Sequence, residues 1–192
     1  MPRTKEQNLA IRAEKRQLIM DSALHLFAEN GFENTSIENI ATHAGISKGL
    51  LYAYFENKDD LLQQILTSGI QTASDVSQSV TTMKDFVKNI EKFFDHVTNH
   101  KEFYKLYSII TVQPKVTKNL ESVMVEYGGM RENMINVFKK HFGEKRALQE
   151  LLLFSVIMKG FTVVSAFSGQ QNVLPTDMLK NTVANFVKER YK

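Results

Sequence analysis

Apolar positions recur along this chain at spacings of three and four, the period of a helix, and no stretch shows the two-residue period of a strand. Ile37, Ile40, Ala41 and Ala44 form one such stripe. Gly45 follows its last residue, where a helix can end on a positive φ that glycine adopts without steric cost. Ile46 plugs the corner, and Ser47 is placed as the N-cap of a next helix whose Leu51 and Phe55 face inward. Thr35 and Glu38, three apart and just before the apolar run, predict a capping box. Upstream, a helix over about 12–30 is predicted to bury Leu18, Ile19, Ala23, Leu26 and Phe27 and to stop at Gly31. Downstream, Asn57 caps a helix over 58–77 that starts apolar (Leu61, Leu62, Ile65, Leu66, Ile70) and turns polar. Further helices are expected over 82–100, 102–112, 116–140, 145–167 and 176–191. The Gly128-Gly129 pair either bends the helix over 116–140 or splits it.

The two short helices and the tight turn between them leave a polar face outward. Lys48, Gly49, Tyr52 and Tyr54 remain once Leu51 and Phe55 are turned inward. Lys48 stands in the first turn, the part of a recognition helix that reaches DNA first. Gly49 has no side chain, so backbone can approach a phosphate. Tyr52 and Tyr54 offer a hydroxyl to phosphate oxygens and a ring to a thymine methyl. Lys58, at the start of its helix, can pair with phosphate beside the exposed amides. The bland alternative is two ordinary bundle helices with half-buried tyrosines.

Over about 17–62 the chain resembles the N-terminal domain of the tetracycline-repressor (TetR) family of regulators. The resemblance rests on Ala23 and Phe27, Gly31-Phe32, Thr35-Ser36-Ile37, Ile40-Ala41, Ala44-Gly45, Ser47-Lys48-Gly49, Leu51-Tyr52, Tyr54-Phe55 and Lys58. It implies an all-α homodimer of about nine helices per subunit. A three-helix DNA-binding head with a helix-turn-helix would occupy 1–57. A helical bundle for effector binding and dimerisation would occupy 58–192, with helix 58–77 as connector. It further implies that Thr35, Ser36, Ser47, Lys48, Gly49, Tyr52, Tyr54 and Lys58 contact DNA. Leu50 and Ala53 fall where the family varies and would help set sequence preference; being apolar, they favour van der Waals contact and shape readout. The expected function is a ligand-responsive transcriptional regulator, a repressor that binds a roughly palindromic double-stranded operator and is released by a small, mostly apolar effector.

Composition changes this picture little. With 192 residues and 43% hydrophobic residues the chain can bury a sizeable core. It has no cysteine, which fits a reducing compartment. The beginning of the sequence carries no apolar signal region and the most apolar stretch, 151–167, is interrupted by Lys159, so the expectation is a cytoplasmic protein without a membrane span. Net charge is +3, yet residues 1–58 hold seven Lys/Arg against seven Asp/Glu, so placement matters more than balance. Five of those cations lie in the first sixteen residues, which read either as a basic arm touching phosphate or the minor groove or as a frayed end.

The body is rich in aromatic residues, most of which are core. Phe94, Tyr104, Tyr107, Tyr127 and Arg131 are candidates for an effector pocket, the tyrosines and arginine as polar lining and Phe94 as wall. The helix over 145–167 is apolar nearly all round and needs cover on more than one side. With the stripe Leu179, Val183, Phe186 and Val187 it suggests a four-helix dimer seam through Phe154, Met158, Phe161, Val183 and Phe186. His96 and His100 share a helix face, but Val97 stands where a zinc-protease pattern needs Glu, and no metal or other cofactor is expected. No phosphate-binding glycine loop, cysteine nucleophile or discernible catalytic triad argues for an enzyme. Two competing readings are a helical lipid carrier or enzyme whose head is only structural, and an effector-free architectural DNA-binding factor.

Overall fold

The computed structural model describes residues 4–77, 80–111, 128–167 and 175–191. Among them are nine helices and no strand: α1 (Lys5–Asn30), α2 (Ile37–His43), α3 (Lys48–Tyr52), α4 (Lys58–Ser77), α5 (Met83–Asn99), α6 (Lys101–Ile110), α7 (Gly128–Phe142), α8 (Glu144–Phe167) and α9 (Thr176–Arg190). The chain divides into two compact units, Met1–Thr67 and Ser68–Lys192, and α4 runs through the boundary. The all-α class and the helix order match the sequence expectation.

In the first unit α1 begins at Lys5, seven residues before the expected start at Arg12. Thr4 accepts from the Gln7 amide while the Gln7 side chain accepts from the Thr4 amide. Those two bonds satisfy backbone donors at the helix end, and they turn the segment read as an arm or a frayed end into helix. Ile19, Ala23 and Phe27 are fully buried, but Leu18 is 40% exposed, against expectation. Phe32 meets the Phe27 ring at 5.1 Å.

In the second unit α5 buries Met83, Phe86, Ile90, Phe94 and Val97 on one stripe. Its N-cap is a capping box between Thr82 and Asp85. Phe86 packs edge-on against Phe138 of α7, Phe154 of α8 and Tyr191 beyond α9, with centroids 5.4, 4.8 and 5.7 Å apart. The chain's end is held there: Tyr191 is 1% exposed and its hydroxyl donates to the Glu150 carbonyl at 3.3 Å. Glu150 is itself buried. Burial alone would raise its carboxyl pKa, but bonds from Arg190 (2.8 and 3.0 Å) and Arg146 (3.1 Å) outweigh that and hold it below the usual value.

Helix α8 is long and apolar enough to cross a membrane by length and composition, with mean hydropathy 1.7 over its window. Its inner side nevertheless packs on α5, α6, α7 and α9. Phe161, placed at a dimer seam from sequence, is instead in this core, 2% exposed and 4.3 Å from the Phe94 ring. Phe154 and Met158 are half-buried, the former among the Phe86, Phe138 and Tyr191 rings. The described helix α7 begins at Gly128, so whether the glycine pair bends or splits a longer helix lies outside the described residues.

Within this unit α4 comes so close to α6 that only a glycine fits. A Cβ on Gly69 would lie 2.0 Å from the Phe103 ring, and that ring is buried. Gly69→Val therefore forces a displacement, expected to cost about 1–3 kcal/mol in urea or thermal unfolding. The same substitution with Phe103→Ala should recover part of the loss. A Gly69→Val protein as stable as the parent would contradict the close approach.

Candidate nucleic-acid interface

The start of α2 is anchored on backbone carbonyls of the last turns of α1 and the residue after it. The Thr35 hydroxyl donates to the Gly31 carbonyl (2.8 Å) and the Leu26 carbonyl (3.2 Å), and Thr35 is 2% exposed. Thr35 is thus not the N-cap. Ser36 takes that role, accepting from the Asn39 amide at 3.1 Å while the Asn39 side chain accepts from the Ser36 amide at 3.2 Å. The capping box is real but sits one residue later than the expected Thr35–Glu38 pair. A displaced register of one residue leaves Ser36 outward and turns Thr35 inward.

Lys58 completes this junction. Its ammonium donates to the carbonyls of Phe32 (2.7 Å) and Thr35 (3.0 Å), with Glu33 at 3.4 Å, and lies 4.3 Å from the centre of the Phe32 ring. In this state it serves the fold and does not project outward. Asn57 caps α4 as expected, accepting from the Asp60 amide at 2.9 Å.

The turn between α2 and α3 follows the sequence reading closely. Gly45 has φ +64°, and Ile46 returns its amide to the Ala41 carbonyl at 2.9 Å. Ile40, Ala41, Ala44, Leu51 and Phe55 are buried, while Ile37 and Ile46 are half-buried. Ser47 accepts from the Leu50 amide at 3.2 Å as N-cap of α3.

Outside this core α3 presents Lys48, Gly49, Leu50, Tyr52 and Ala53 to solvent. Tyr52 is 49% and Leu50 39% exposed, and nothing lies within 4 Å of a Cβ built on Gly49. Tyr54 is half-buried, with the Arg12 guanidinium 5.8 Å from its ring centre. Arg16 lies 5.6 Å over Phe55 and donates to Gln64, so the early turns of α1 carry positive charge beside the end of α3. Lys48 forms an ion pair with Glu38 at 2.6 Å. The hydrogen bond and the opposite charge lower the Glu38 pKa and raise that of Lys48. The pairing of Glu38 with Lys48 was missed from sequence: Glu38 was read as a cap, although its place on the outer side of α2 across the turn from Lys48 was the available clue.

The candidate pocket residues are only partly among the described ones. Phe94 and Tyr104 are buried and Tyr107 is half-buried, whereas Tyr127 and the Arg131 side chain lie outside the described residues. The His96 and His100 rings are tilted by 46° with centroids 4.3 Å apart, and among the described residues no three metal-ligating side chains converge.

Lys58→Met tests the junction. Replacing an ammonium that answers buried carbonyls should lower the unfolding free energy by about 2 kcal/mol. An unaltered denaturation midpoint and slope would show that water replaces it without loss.

Residues 19–65 match the family described as "Bacterial regulatory proteins, tetR family". Among known proteins, the HTH-type transcriptional regulator YuxN of Bacillus subtilis is 32% identical over 98 residues, 48% of this chain and 34% of that protein. YerO of the same organism is 24% identical over 170 residues, covering 83% of this chain and 59% of the relative. The match thus spans about a third to three fifths of these relatives' own length. A solved structure of the transcriptional regulator FadR from Bacillus subtilis in complex with stearoyl-CoA has the same fold, with TM-score 0.67 at 17% identity over 89% of this chain and 96% of that one. Residues 19–65, which hold the helix-turn-helix of α2 and α3, thus match the tetR family of bacterial regulatory proteins, and the helical order of the chain matches the fold of a solved transcriptional regulator.

Proposed function

We propose that this protein is a ligand-responsive repressor that binds a roughly palindromic operator as a homodimer and leaves it when a small, mostly apolar effector enters the helical body. The observation that carries this reading is the uncovered face of α3, where a lysine, a bare backbone position and a tyrosine stand outward over a fully apolar underside. Ser36, Ser47, Lys48, Gly49, Leu50, Tyr52 and Tyr54 would meet the DNA. Ser36 and Ser47 would serve backbone phosphates, and Leu50 and Tyr52 the base edges. Thr35 and Lys58 act one layer beneath, by setting the pose of α2. A bound phosphate would take Lys48 from Glu38.

A second copy would cover an apolar stripe that the single chain leaves bare. On α8, Leu148, Leu152 and Val156 recur at intervals of four and are 61–69% exposed, followed by Val163, Val164 and Phe167. On α9, Met178 is 63% and Phe186 45% exposed, with Val183 half-buried. This stripe replaces Phe161 as the proposed seam, while Phe186 and Val183 keep their place. The paired heads would then address major grooves about 34 Å apart or a multiple of that. Weakening operator binding tenfold to a hundredfold requires about 1.4–2.8 kcal/mol of coupling. A cytoplasmic location follows from the DNA partner. The stearoyl-CoA bound by the relative fits an effector with a large apolar part.

Selection of bound duplexes from a random library should return inverted repeats, and recovery of no sequence would sink the repressor reading. On the selected site Lys48→Ala should weaken binding and reduce the salt slope by about one, whereas Glu38→Gln should strengthen binding by freeing the lysine. If both variants bind as the parent does, α3 is not the reading helix. Leu152→Glu and Val156→Asp, at positions already exposed in the single chain, should give a folded monomer in sedimentation; a dimer that survives both moves the seam elsewhere.

A further inference from the structure

Three hydroxyls are buried in the helical body without a hydrogen-bond partner among the described residues: Tyr104, Ser108 and Ser165. They are 5%, 7% and 0% exposed. A buried hydroxyl that has left water and gained nothing in return is a net cost to folding, so native proteins keep few of them. Serine and threonine in a helix normally escape by bonding the carbonyl four residues back. Ser155 does so to Leu151 and Thr162 to Met158, each at 2.7 Å. Ser108 and Ser165 do not.

Tyr104 and Ser108 stand four apart on α6 and so share one helix face. Among the described residues the ring contacts of Tyr104 are with Phe103, His96 and Phe93, whose centres lie 5.2, 5.9 and 6.4 Å away. Burial pushes the Tyr104 phenol well above its ordinary pKa, so it remains a donor. Burial, and then His100, lower the pKa of His96, which keeps its ring neutral near pH 7. Lys159 on α8 is already bonded to the Thr111 hydroxyl at 2.8 Å and lies 5.3 Å from the Tyr107 ring centre. Donors without a positive charge suit an uncharged acceptor; a buried carboxylate there would lack a counter-ion.

We propose that Tyr104 and Ser108 are the polar end of an internal effector site and donate hydrogen bonds to an uncharged carbonyl oxygen on an otherwise apolar molecule. This rests on the ligand-responsive reading above and names the chemistry its ligand must have. The site is also placed to be felt: Phe103, beside Tyr104, is the residue seated on Gly69 of α4.

The test uses the full chain with methyl laurate as uncharged carbonyl probe, laurate as its charged counterpart and dodecane as the probe without an acceptor. In the free protein Tyr104→Phe and Ser108→Ala should each raise the melting temperature by a few degrees, since each removes an orphaned polar group. In calorimetry the same variants should bind methyl laurate about tenfold more weakly, the loss of one hydrogen bond. They should bind dodecane as the parent does, and the parent should prefer methyl laurate to laurate. Lower melting temperatures would mean that trapped water already serves the hydroxyls and that their role is structural. Equal affinities in parent and variants, a preference for laurate, or no binding of methyl laurate would overturn the assignment. Operator binding by the unliganded parent is measured alongside. Its absence sinks the regulator reading and leaves the hydroxyl result standing, while its presence with a failed probe series sinks the site alone.

Discussion

Backbone carbonyls where a helix ends and the chain turns need donors, and the head of this protein is organised around those running from the last turns of α1 into the loop before α2. The Thr35 hydroxyl answers Leu26 and Gly31, and the Lys58 ammonium answers Phe32 and Thr35 from the first residue of α4. Two side chains from opposite ends of the helix-turn-helix therefore meet at one junction. With that junction settled, α2 and α3 can bury Ile40, Ala41, Ala44, Leu51 and Phe55 on a single side and leave the other side bare. The outward polar face of α3 is a consequence of how completely its inner face is used.

The same residues explain what was legible in the sequence. Period, caps and the turn glycine were local signals, and they located α2, α3 and α4 because each cap there bonds within four residues of itself. The exchange of Thr35 for Ser36 was not legible, since both can cap; what decides is that the Leu26 and Gly31 carbonyls lie close enough to claim one hydroxyl. Lys58 was read as a phosphate ligand for the same reason: its three carbonyl partners are more than twenty residues away in the chain. The start of α1 was missed because Thr4 and Gln7 precede a stretch with no apolar stripe to mark it.

In the body the helix pattern announced the elements but not which side of α8 faces in. That helix is apolar nearly all round, so periodicity carries no direction. Tertiary contacts choose: Glu150 pairs with Arg190 of α9, Phe161 packs on Phe94, and Leu148, Leu152 and Val156 are left outside. The buried carboxylate and Arg190 of α9 thus mark the inward side of a helix whose hydrophobic residues alone do not. The unpartnered hydroxyls were invisible from sequence for a related reason, since a serine in a helix reveals nothing about whether it bonds back to its own turn.

The notch at Gly69 has a mechanical consequence. The Phe103 ring rests where α4 has no side chain, and the positions that share this helix face three residues to either side are Leu66 and Thr72. Sliding α4 along its axis would drive a side chain into the ring, so gradual slippage meets a steep barrier in either direction. The contact behaves as a detent: small tilts are tolerated, and larger travel happens only if the aromatic ring lifts out of its seat. A segment mounted this way has preferred positions along its own axis.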